Sequence, residues 1–137
     1  MPHDPIRISE TKSWFKKALD DLRAAETSLK AHPPLLSISI FHCQQVVEKM
    51  LKGFLFWYDQ RFRKTHSIEE IDELCIKIDA SLKDLIDEAV PLTPYAWRFR
   101  YPGEIDEPTD EEIQEALTIS KKVYKEILKR LPRETHP

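Results

Sequence analysis

Apolar side chains return every three or four residues through most of this chain, and prolines stand in the breaks between those runs. That period marks amphipathic helices, each burying one face. Trp14 or Phe15, Ala18, Leu22, Ala25 and Leu29 predict a first helix over about 10–31, with Ser9 as its N-cap. His32-Pro33-Pro34 ends it, because proline lacks a donor and restricts the residue before it. Leu36, Ile40, Val47, Met50 or Leu51, Phe54 and Tyr58 predict a second helix over about 35–58. Its interior Gly53 costs about 1 kcal/mol against alanine unless a neighbouring helix must approach there. A third helix is expected to open at Ser67, where Glu70 completes a capping box and His66 and Ile71 take the staple positions. A shorter fourth starts near Ser81 and carries Leu82, Leu85, Ile86, Ala89 and Val90, with Pro91 and Pro94 stopping or kinking it. A fifth opens at Thr109, where Glu112 forms a second capping box, and carries Ile113, Leu117, Ser120, Tyr124, Ile127 or Leu128 and Leu131.

The expected fold is therefore all-α: an up-and-down bundle of four main helices plus a shorter one. It forms a single domain over 1–137 with its core at about 10–131. The end segments, 1–8 and 132–137, are expected to be loose or partner-bound. Tyr95 to Pro108 reads as an aromatic, proline-containing connection.

Composition narrows the chemistry. Two glycines, Gly53 and Gly103, exclude the clustered-glycine phosphate loops of dinucleotide- and nucleoside-triphosphate-binding folds. No histidine or cysteine pair has metal-ligand spacing, so no metal and no cofactor are expected. Cys43 and Cys75 fall inside helical patterns and read as reduced core thiols, which with the absence of a basic-then-apolar leader points to the cytoplasm. The longest apolar run, Phe54 to Tyr58, is too short to span a bilayer, so no membrane is expected. It also points all round its helix, so part of it is expected to meet another copy in a homodimer or higher homo-oligomer. The net charge of −3 excludes a wholly basic nucleic-acid binder. Arg61, Arg63, Lys64, Arg98 and Arg100 are nevertheless gathered in two connections.

The second helix carries an ordered polar edge as well. His42, Gln45, Lys49 and Lys52 recur at three- or four-residue steps and line up. Three pieces then occur in order: His42-x-Gln44-Gln45 followed by Glu48-Lys49-x-x-Lys52, then Thr65-His66-Ser67-Ile68, then Arg100-Tyr101-Pro102. Together they resemble the HEPN family of helical domains. The resemblance implies helical-bundle architecture, dimerisation through bundle helices, and for small stand-alone members a minimal nucleotidyltransferase partner in toxin–antitoxin or nucleotide-transfer systems. It also implies a nucleotide or RNA ligand.

On this reading Arg61, Arg63, His66, Arg98 and Arg100 surround one groove that binds nucleotide or RNA phosphate, with Lys49 or Lys52 at its edge. Trp97, Phe99 and Tyr101 alternate with the arginines and could stack bases, or be half core and half surface. Two alternatives stay open: a metal-independent HEPN ribonuclease toxin, and a non-catalytic assembly module whose arginines only pair with the acids of 104–115. Many family nucleases use an Arg-x4–6-His motif near the C-terminal helices. Here the arginines of that region, Arg98 and Arg100, lack the paired histidine, so no catalytic residue is assigned and little intrinsic nuclease activity is expected. Arg61 to His66 and Arg130 to His136 match the spacing elsewhere.

Overall fold

The computed structural model describes residues 4–62, 68–103 and 106–137, and over these the chain is helical throughout, without a strand. Five α-helices follow one another: α1 (Pro5–Leu29), α2 (Leu36–Trp57), α3 (Ile68–Ile78), α4 (Lys83–Ala89) and α5 (Asp110–Lys129). Short 3-10 segments at Ala80–Leu82, Val90–Ala96 and Arg133–Thr135 complete the chain. The core collects one face of each helix, including Phe15, Ile40, Met50, Phe54, Ile71, Leu82, Ile113 and Ile127.

The helix ends show which local signals prevail. α1 begins earlier than Ser9: Asp4 accepts a hydrogen bond from the Ile6 N–H and Pro5 occupies the first turn, where its missing donor costs nothing. α5 opens as its sequence demands. Thr109 Oγ1 accepts from the Glu112 N–H at 3.1 Å, while Glu112 Oε1 accepts from the Thr109 N–H at 3.0 Å. Ser67, the expected cap of α3, lies outside the described residues. α4 stops at Ala89, ahead of Pro91, as the prolines imply, but helical structure does not end there. The chain continues past both as the 3-10 segment Val90–Ala96, since a fixed φ is compatible with that tighter helix.

α2 is the central element and packs against α1, α3, α5 and the Val90–Ala96 segment. Its most extensive contact is with α1, across a short connection. Gly53 makes that contact close: a Cβ there would stand 2.5 Å from Phe15 Cε1 and 2.9 Å from Trp14 Cβ.

Within the run Phe54 to Tyr58, Phe54, Leu55 and Trp57 are buried in the one chain, Phe56 is half-buried and Tyr58 is exposed. One expectation is corrected: the end segments are not loose where described. Pro5 to Ile8 belong to α1. The Arg133–Thr135 turn packs on α1, with Thr135 buried.

Candidate functional site

The polar edge of α2 meets a carboxylate from α1. Asp21 stands on the buried face of α1 between Ala18, Leu22 and Ala25 and is only 7% exposed. A carboxylate that deep needs partners. Its Oδ1 lies 2.7 Å from His42 Nδ1, and its Oδ2 accepts from Lys49 Nζ. His42 and Lys49 are seven residues apart, two turns of one helix face, so one carboxylate can bridge them. Both are about a quarter exposed, so the cluster is buried at Asp21 and open at its rim.

The second half of the site comes from the turn after Ala96. Trp97 and Arg98 donate their N–H groups to Pro94 O at 3.1 and 2.8 Å. Phe99 then takes a left-handed backbone conformation at φ 69. For a bulky side chain this is costly, and such strain persists only where surrounding contacts enforce it. Here Phe99 is buried against Tyr95, ring to ring at 6.1 Å, and carries the Arg98 guanidinium on its face at 4.4 Å. The turn sends Arg98 and Arg100 to different partners. Arg98 reaches Glu112 Oε2 at 3.9 Å. Arg100 donates from Nη1 to Ala96 O at 2.9 Å and lays its guanidinium 4.1 Å from the centre of the Phe41 ring.

Phe41 joins the halves. Its ring meets that of His42 edge-on at 5.3 Å and Arg100 on its face, so guanidinium and imidazole stand on one aromatic side chain. Between α2 and the turn lies an open cleft of 510 Å³, lined by Ser37, Ile38, Phe41, His42, Phe99 and Arg100. No carboxylate among the described residues lies within ion-pair distance of Arg100. The cleft thus offers a cation, an imidazole nitrogen and an aromatic wall, the elements that hold a phosphate ester.

The described residues of the expected groove do not share one hollow. Arg61 lines a separate hollow with Phe56, Asp59, Gln60 and Phe62. Phe41 and Phe56 are fifteen residues apart, about 22 Å along the helix, so Arg61 and Arg100 belong to opposite ends of α2. Lys52 pairs with Glu48 at 4.0 Å and approaches the Phe62 ring at 5.9 Å. Lys49 is committed to Asp21. Arg63 and His66 lie outside the described residues. Of the described members of the expected set, only Arg100 lines the His42 cleft. His42 lines it too, with Asp21 bonded to its ring, and neither was expected there.

The second Arg–His spacing has a structural use. Arg130 donates to Asp79, Ser81 and Glu126, and His136 Nε2 lies 2.7 Å from Leu128 O near the end of α5. A histidine there adds a side-chain contact to a last-turn carbonyl that already accepts from the Leu131 N–H at 3.2 Å.

Other titratable groups mark burial. Desolvation, with Glu69 and then Asp87 adding repulsion, pushes the Asp72 carboxyl up to about 7. It lines a narrow hollow with Gln44, Glu48, Leu92 and Thr93. Burial pushes the Cys43 thiol up to about 12 and raises that of Cys75, so both are core thiols. The described residues include no histidine, cysteine and carboxylate group suited to a metal ion.

Comparison with known proteins adds one positive finding: a family model described as HEPN domain matches residues 11–131. No curated protein and no solved structure matches the chain. The matched span takes in both Asp21 on α1 and the turn with Arg100.

Proposed function

Because the chain belongs to the HEPN domain family, we infer that it is a nucleotide- or RNA-binding protein whose phosphate site is the cleft between α2 and the Trp97–Tyr101 turn. One observation carries this reading: the Arg100 guanidinium, without a carboxylate partner among the described residues, lines the same cleft as His42. Arginine presents a planar fork of donors suited to phosphate oxygens, and the aromatic side chains beside it can take a base. In this reading the protein is the ligand-holding subunit beside a minimal nucleotidyltransferase, in a toxin–antitoxin or nucleotide-transfer pair. Leu35, Ile38, Trp97 and Tyr101 are exposed apolar side chains on the elements that form the cleft, and a partner subunit or a second copy would cover them.

Arg98 favours the alternative of a helical assembly module at its own position, since its ion pair is with Glu112 in the first turn of α5. The two readings separate at Arg100. Binding of a labelled single-stranded RNA and of free nucleotides should weaken at least about tenfold in Arg100→Gln, the loss expected of a charged hydrogen bond. The affinity should also fall as salt rises. The melting temperature should hold, because Arg100 is exposed. Undiminished binding in a folded Arg100→Gln protein would refute the site.

A further inference from the structure

We propose that Asp21 and Lys49 are positioning residues that fix the tautomer of His42, so that the cleft selects a phosphate ester carrying a hydroxyl beside the phosphate, as ribose does. This rests on the cleft being a phosphate site, and it says which phosphates the cleft prefers. Asp21 is 7% exposed, and its two oxygens are shared between His42 and Lys49. An ionised carboxylate only accepts hydrogen bonds, so the hydrogen in the 2.7 Å contact belongs to His42 Nδ1. Lys49 shares the carboxylate, and in the neutral ring the nitrogen left over is Nε2, bare and able only to accept.

An acceptor repels a phosphate oxygen and attracts a hydroxyl. Arg100 supplies only donors. The two stand on the same Phe41 ring, at 4.1 Å for the guanidinium and 5.3 Å for the imidazole. The group that satisfies both carries an ionised phosphate and a hydroxyl donor together. A ribonucleoside 3′-phosphate, with its free 2′-hydroxyl, places such a donor beside the phosphate, and its 2′-deoxy counterpart lacks it.

Nitrogen-15 NMR of the full chain reads the tautomer without ligand. The expected spectrum has hydrogen on Nδ1 of His42 and none on Nε2, and Asp21→Asn should invert it, because the asparagine amide can donate to Nδ1. Titration calorimetry then compares adenosine 3′-monophosphate with its 2′-deoxy counterpart. The ribonucleotide should bind about fivefold more tightly, the worth of one neutral hydrogen bond, and the two affinities should converge in His42→Phe. A mere strut between α1 and α2 would not move that ratio. Hydrogen on Nε2 in the wild-type protein, or equal affinity for the two nucleotides, overturns the inference. If both nucleotides bind equally and Arg100→Gln weakens both, the hydroxyl preference falls and the phosphate site stands. If neither binds the wild-type protein, the phosphate site falls as well.

Discussion

Gly53 sits where α1 and α2 come closest, and a single added methyl has nowhere to go. A Cβ at 2.5 Å from Phe15 Cε1 and 2.9 Å from Trp14 Cβ must displace a fully buried ring and part of a helix. Alanine would gain about 1 kcal/mol of helix propensity, whereas overpacking a tight core costs about 1–3 kcal/mol. Gly53→Ala should therefore be destabilising by about 1 kcal/mol, measurable by urea unfolding. A stabilised variant would mean that the two helices can part without cost. Asp72 makes a prediction of opposite kind. Its carboxyl, pushed up to about 7 by burial, binds a proton more readily in the folded chain than in the unfolded one, where the ordinary value is 3.8. Stability from this group is thus present at low pH and is lost as pH rises from about 4 through 7. Asp79, Glu112 and Glu126 oppose it. Hydrogen bonds led by Ser81, the Thr109 backbone and Lys129 respectively hold them low, so their contribution appears above the ordinary carboxylate values and is lost on acidification. Asp72→Asn should flatten the fall between pH 5 and pH 8 in a series of thermal melts, and should raise the melting temperature at pH 8. The sequence held a trace of the site at this scale. Asp21 interrupts an apolar stripe that includes Ala18, Leu22 and Ala25, and a charge in such a stripe needs a buried partner. Which partner could not be read, since the contact joins residues twenty-one and twenty-eight positions apart.

At the scale of elements, the cap of α5 does two things. Glu112 closes the capping box with Thr109, and its other oxygen accepts from the Tyr95 hydroxyl at 3.2 Å and faces Arg98 at 3.9 Å. The helix start is thereby tied to the turn that presents Arg100. Thr109→Ala should cost about 1 kcal/mol, the usual worth of a cap. Glu112→Ala should cost more, and it should also weaken ligand binding at Arg100, because the turn loses an anchor. Equal stability losses, with binding untouched in Glu112→Ala, would show that the turn holds itself. The α5 start was legible because threonine and glutamate three apart have one local solution. The α1 start was not, since Asp4-Pro5 serves a loop as readily as an N-cap followed by a first turn. The Val90–Ala96 segment was illegible for a similar reason: two prolines signal an end to α-helix but do not forbid 3-10 geometry. Nothing local could announce the left-handed Phe99, which is imposed by packing around it.

At the scale of the molecule, no described helix is long and apolar enough to cross a membrane, and the charged chain, at 33% Asp, Glu, Lys and Arg, covers itself with ion pairs between neighbouring elements. Lys121 meets Glu26, Lys122 meets Glu88, and Arg130 meets Asp79, each joining α5 to another part of the bundle. Exposed pairs of this kind contribute little singly, about 0–1 kcal/mol. The bundle therefore depends on its apolar seams, and the seam between α1 and α2 is the largest. Because only a short connection separates those helices, closing their hairpin costs less loop entropy than bringing α5 across from the far end of the chain. The close approach at Gly53 then has a kinetic consequence. The α1–α2 hairpin should already be assembled at the folding barrier, with α5 docking after it. In stopped-flow chevrons, Phe15→Leu should mainly slow refolding, whereas Ile127→Val on α5 should mainly speed unfolding. A refolding limb unchanged by Phe15→Leu would place the nucleus elsewhere. The same glycine that lets two helices touch would then set the speed at which the chain finds its fold.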